Sequence, residues 1–126
     1  MHVVYVIGPY RAPSEWEVVS NIRRAELVAI DVWKLGAACI CPHKNTALLG
    51  GACEDEVWLQ GDLEILSRCD ASLVLDGWES SQGSKGEILF CENNGIPVFY
   101  NLKSLDSWMK SNSHGSGVDE KETNTR

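Results

Sequence analysis

Four short apolar runs punctuate the chain: VVYVI at 3–7, AACIC at 37–41, ASLVL at 71–75 and PVFY at 97–100. Each is followed by turn-forming residues and then by a stretch with helical spacing, so each reads as a buried strand and each connection as a helix. Parallel strands need such crossovers, and helices on both faces then cover the sheet. Few folds satisfy that repeated order.

The expectation is an α/β domain with three layers, flavodoxin-like or Rossmann-like, around a four- to five-stranded parallel sheet. The first and third strands are expected to be neighbours, and a ligand crevice is expected at the carboxyl ends of the strands, where the strand order reverses. The first helix is the best marked. Ser14 and Glu17 form a capping box, Val18/Val19, Ile22, Ala25, Ala29 and Val32/Trp33 recur at three- and four-residue steps, and Gly36 closes the segment. A Gly-rich loop over 43–53 leads to a second helix from about Glu54 to Ser67, with acidic residues in its first turn as the helix dipole favours. A third helix is expected over 84–94, opened by the S-x-x-E pattern of Ser84 and Glu87, and a short fourth helix near Leu102 to Met109. Residues 1–110 thus form one domain, and the polar stretch 111–126, nearly free of apolar residues, is expected to be disordered.

The whole chain has 126 residues, 44% of them hydrophobic, enough for one core without metal or disulfide staples. Its net charge of −7 repels polyanions, which argues against a nucleic-acid polymer or an anionic membrane as partner and leaves small ligands open. No basic leader or long apolar span is evident, so a cytoplasmic location is expected. The five cysteines form an odd set, four of them in apolar stretches, and read as reduced core thiols. Cys39, Cys41, His43 and Cys53 lack zinc-site spacing, and neither G-x-x-x-x-G-K-[ST] nor G-x-G-x-x-G follows a strand. No metal and no cofactor are expected.

The topology brings three loops to one edge of the sheet: Gly8-Pro9-Tyr10-Arg11, Pro42-His43-Lys44 and Asp76 to Gly83. A guanidinium and a phenol at Arg11 and Tyr10 suit a phosphate or a sugar hydroxyl, and His43 could touch the same ligand. Plain surface loops explain these residues as well. Asp62 interrupts an apolar stripe with Trp58, Ile65, Leu66 and Cys69, so it either has a task or lies on the stripe's solvated edge. Glu87, in the first turn of its helix, is expected to be kept ionised by the dipole, as a carboxylate nucleophile must be; a simple cap explains it too.

GPYR after the first strand, PH after the second, Asp62 eight residues before Asp70, and the run DGWESSQGSKGE together resemble the nucleoside 2-deoxyribosyltransferase superfamily over roughly residues 3–100. The resemblance implies that Glu87 attacks the anomeric carbon of a 2'-deoxynucleoside and that Asp62 assists near the sugar and base. It implies substrate-binding roles for Gly8, Tyr10, Arg11, His43, Ser81 and Gly83, and a homo-oligomer. Typical transferases carry an aspartate six residues before the nucleophile, where this chain has Ser81. The related 2'-deoxynucleoside 5'-phosphate N-hydrolases carry a serine there that helps to bind the 5'-phosphate. The tail also lacks the aromatic C-terminus that completes a neighbouring site in some transferases. Transfer of deoxyribose is therefore the first expectation, hydrolysis of a 5'-monophosphate the alternative, and a non-catalytic nucleotide-binding domain the second alternative.

Overall fold

The computed structural model describes residues 1–47 and 49–112. Strand β1 (Val3–Ile7) leads through the GPYR loop to helix α1 (Glu15–Lys34), then β2 (Ala38–Ile40), the short α2 (Pro42–Asn45) and α3 (Asp55–Ser67). Strand β3 (Ala71–Val74), a single 3₁₀ turn (Trp78–Ser80), α4 (Gln82–Asn93), β4 (Val98–Phe99) and α5 (Leu102–Ser111) follow. The sheet is parallel throughout, in the order β2-β1-β3-β4, which is flavodoxin-like and places the switch point between β1 and β3. The disorder expected of the tail concerns, beyond Asn112, positions outside the described residues.

Alternation along β1 divides the core in two. Val4 and Val6 join Ala25, Ala29, Val32, Leu73 and Leu105 under α1 and α5, whereas Tyr5 and Ile7 join Leu66, Val74, Ile88 and Cys91 under α3 and α4. With both faces covered, the central strands β1 and β3 bury nearly every side chain, which is why they read as continuous apolar runs. Helix α1 begins as its capping box predicts: Ser14 Oγ accepts from Glu17 N–H at 3.2 Å. Gly36, at φ 97°, ends it in a left-handed turn.

Two local expectations are corrected. The loop expected over 43–53 opens with a helical turn, because Pro42 at its first position has φ already set for a helix. Helix α4 is capped by Ser81, whose side chain accepts from Ser84 N–H at 3.2 Å, and not by Ser84. The 3₁₀ turn delivers the chain to Ser81 in an extended conformation, one helical turn earlier than the S-x-x-E pattern suggests.

Candidate active site

Tyr5 sits on the central strand with its ring fully buried, so its hydroxyl must find a partner inside the protein. It donates to Glu87 Oε2 at 2.5 Å, across 82 residues of sequence. Helix α4 makes that contact possible, since Ile88 and Cys91 anchor it on the sheet and turn the preceding glutamate toward β1. Glu87 Oε1 carries no protein hydrogen bond among the described residues. One oxygen is held and the other is free.

Burial pushes the Glu87 carboxyl up to about 7; the Tyr5 hydrogen bond opposes that rise and the charge of Asp62 adds to it. The expected control by the helix dipole is thereby corrected. With Ser81 as the cap, Glu87 lies in the second turn, beyond the strongest field of the N-terminus, and desolvation outweighs what remains. The Tyr5 phenol is raised well above the usual range, first by burial and then by Glu87, so it remains a donor.

Asp62 lies half-buried on α3, one and two turns before Leu66 and Cys69, which face the sheet. Burial raises its carboxyl, and its charge is felt at both Tyr5 and Glu87. Two carboxyls with raised proton affinity and one permanent donor therefore share this side of the sheet. The two carboxyls are coupled, and Glu87 is the one that burial raises more, so it is the ionised fraction of Glu87 that can act as a nucleophile.

The loops around it are tied down by backbone contacts. Gly8 is buried where β1 ends, and a Cβ there would stand 2.5 Å from Leu75 Cδ1, so a larger residue requires Leu75 to move where the GPYR loop leaves beside the end of β3. His43 is also buried; its Nε2–H donates to the carbonyls of Gly8 and Pro9 at 3.1 and 3.0 Å. Burial lowers its proton affinity and keeps the ring neutral, while Nδ1 has no partner among the described residues. The ring thus clamps the loop from inside the fold. Tyr10 packs edge-on against His43, with centroids 5.9 Å apart, and its carbonyl accepts from Asn21 at 3.1 Å.

Arg11 reaches instead to Asp55 at the start of α3, a 3.0 Å ion pair with both side chains largely exposed. Such a pair is worth little in water, so an arriving anion competes for the guanidinium on easy terms. Ser81 and Gly83 stand at the opening of α4: the Ser81 oxygen accepts from the helix while its O–H remains to donate, and nothing lies within 4 Å of where a Gly83 Cβ would be. Beside them Ser84 is buried, and its hydroxyl has no partner among the described residues.

Sequence reasoning missed Tyr5. The available signal was a phenol in the middle of the VVYVI strand, where every neighbour is aliphatic and the hydroxyl cannot reach water. Among the described residues, no three His, Cys, Asp or Glu side chains gather as a metal-ligand set, and no helix is long and apolar enough to cross a membrane.

A solved structure of a 2-deoxyribosyltransferase from the psychrotolerant bacterium Bacillus psychrosaccharolyticus is similar to this chain. The two are 21% identical, with a TM-score of 0.55 over 76% of this chain and 69% of the other. At that identity the likeness establishes a common fold. No curated protein matches the chain. The model of one family, a domain of unknown function (DUF7768), matches residues 2–101, and the chain belongs to that family.

Proposed function

We propose that this domain cleaves the N-glycosidic bond of 2'-deoxynucleosides or their 5'-monophosphates through a deoxyribosyl adduct on Glu87. The observation that carries the reading is the Tyr5–Glu87 contact: a carboxylate held by one oxygen, free at the other, and set at the switch-point edge where α/β sheets bind ligands. In the first step Glu87 Oε1 forms a bond to C1' as the bond from C1' to the base nitrogen breaks. Asp62, half-buried on α3, gives a proton to the departing base. The transition state resembles an oxocarbenium ion, which the ionised Glu87 stabilises before trapping it. In the second step a nitrogen of another base, or water, attacks C1' and releases Glu87; its displaced proton returns to Asp62.

Transfer to a second base is the first reading, in line with the transferase whose fold the chain shares. Ser81 favours the alternative, hydrolysis of a 5'-monophosphate. Its hydroxyl, the N-terminus of α4 and the exposed Arg11 guanidinium offer an anion three kinds of donor around one edge. We place Gly8 and Tyr10 in the loop that closes over the sugar, His43 on α2 as the support of that loop, and Gly83 where the backbone of α4 meets the ligand.

The test incubates the protein with each 2'-deoxynucleoside and each 5'-monophosphate, with and without a second free base, and follows products by chromatography. Release of base that Glu87→Gln lowers by about a thousandfold or more supports the adduct. A new nucleoside formed from the second base marks a transferase, and free deoxyribose 5-phosphate marks a hydrolase. Nucleotide binding without base release, or release indifferent to Glu87→Gln, overturns the proposal.

A further inference from the structure

Helix α1 carries a second apolar stripe, separate from the Ala25, Ala29, Val32 face that meets the sheet. Trp16, Val19, Arg23, Glu26, Ile30 and Trp33 follow one another at steps of three, four, three, four and three, the spacing of a heptad seam. At about 100° per residue this seam lies roughly a third of a turn from the core face. It is open to solvent: Trp16 is 78% exposed, Trp33 55%, Val19 47% and Ile30 44%. Two exposed tryptophans and two exposed aliphatics aligned on one helix make a patch that a solitary small domain would not be expected to leave bare.

The order of residues along the seam says what covers it. Reversed end for end, the seam matches itself: Trp16 meets Trp33, Val19 meets Ile30, and Arg23 meets Glu26. A parallel pairing would set Arg23 against Arg23 and Glu26 against Glu26. Charge complementarity therefore selects an antiparallel, closed two-fold arrangement, with the polar pair at its centre fixing the register. The flank of the seam agrees. A groove of about 530 Å³ shares Glu26, Ile30 and Trp33 with it and continues to Ile40 and Ile65 at the β2 edge. Antiparallel pairing brings Trp16 of the second copy to Trp33, at the mouth of that groove.

We propose that a second copy of this chain docks on α1, the two helices packing antiparallel through Trp16, Val19, Arg23, Glu26, Ile30 and Trp33. Glu26, already paired with Arg23 of its own chain at 2.8 Å and Lys44 at 2.6 Å, then faces Arg23 of the second copy as well. Each contact occurs twice, as two-fold symmetry requires. The surface is independent of the proposed chemistry and stands or falls separately from it.

The experiment is sedimentation of the full chain and of two charge variants, Arg23→Glu and Glu26→Arg, alone and mixed. The parent chain is expected to sediment as a dimer. Each variant alone places like charges together twice and weakens association by about tenfold or more. Mixed in equal amounts, the two variants restore it, because the glutamate introduced at position 23 then meets the arginine introduced at position 26, and the native pair forms on the other side. Circular dichroism checks that each variant folds. Trp16→Ser, at a side chain outside the core, weakens the dimer without a change of charge. A monomeric parent at about 100 µM, far above the dissociation constant of a specific interface, overturns the proposal. So does a charge variant that associates like the parent, or a mixture no tighter than its components.

Discussion

The two faces of the sheet are built from the same strands and differ in kind. Under α1 and α5, β1 presents Val4 and Val6 to an apolar layer closed by Val32, Leu73 and Leu105. Under α3 and α4 the same strand presents Tyr5, and the layer admits a carboxyl, a second carboxyl at its margin and a serine hydroxyl that receives the Cys91 thiol at 3.6 Å. One face stabilises the fold. The other accepts the desolvation of ionisable groups, and the raised proton affinities of Glu87 and Asp62 are the sign of it. A step of one residue along β1 separates packing from chemistry.

Substitution on each face should break this comparison in opposite ways. The largest expected effect is Glu87→Gln, which removes base release by about a thousandfold or more and also stabilises the protein at pH 8. The sign follows from the carboxyl's shift from 4.5 to about 7 on folding. The folded state holds the proton more tightly, so the contribution of Glu87 is fully present below 4.5 and lost as pH rises through 7. The loss is on the order of 2 kcal/mol after allowance for its partial exposure. Urea titrations across pH 4 to 9 should show a decline in the parent that the glutamine variant lacks. A parallel decline in both would place the shift elsewhere.

On the apolar face, Leu105→Ala should lower stability by about 2 to 5 kcal/mol, since the side chain is fully buried and leaves a cavity. Its denaturation midpoint should fall while the pH dependence of base release stays as in the parent. Tyr5→Phe sharpens the contrast on the other side. It deletes the hydrogen bond that favours the charged form of Glu87, so the acid limb of kcat/KM should move to higher pH from its position near 7. An unmoved limb would mean that the phenol only fills space. The smallest effect belongs to Arg11→Ala, which should raise KM for 5'-monophosphates several-fold, leave nucleosides unaffected, and change stability by less than about 0.5 kcal/mol because its ion pair is exposed.

How far the sequence spoke for itself follows the range of each interaction. The strands, the Ser14 cap of α1 and the neighbouring of β1 and β3 rest on periodicity, turn residues and connection length, all local signals, and they were legible. The cap of α4 was misplaced because Ser81 and Ser84 both fit a capping pattern. The choice depends on where the Trp78–Ser80 turn ends, which packing decides. Asp62 and Glu87 could be named from their places on helices, but the Tyr5 partner lies across the sheet and no spacing rule reaches it. The state of the Glu87 proton was misjudged for the same reason: burial is a property of the assembled layers.

For anyone wishing to retune the site, the glycines at its rim point to opposite strategies. Gly8 is pinned against Leu75 and leaves little design freedom, since any side chain there forces that buried leucine to shift. Gly83 is helical and open on its Cβ side, so alanine there would favour α4 by up to about 1 kcal/mol, and larger side chains could be grown toward the opening of the site. A library confined to position 83 would explore ligand preference while leaving the Gly8–Leu75 contact untouched.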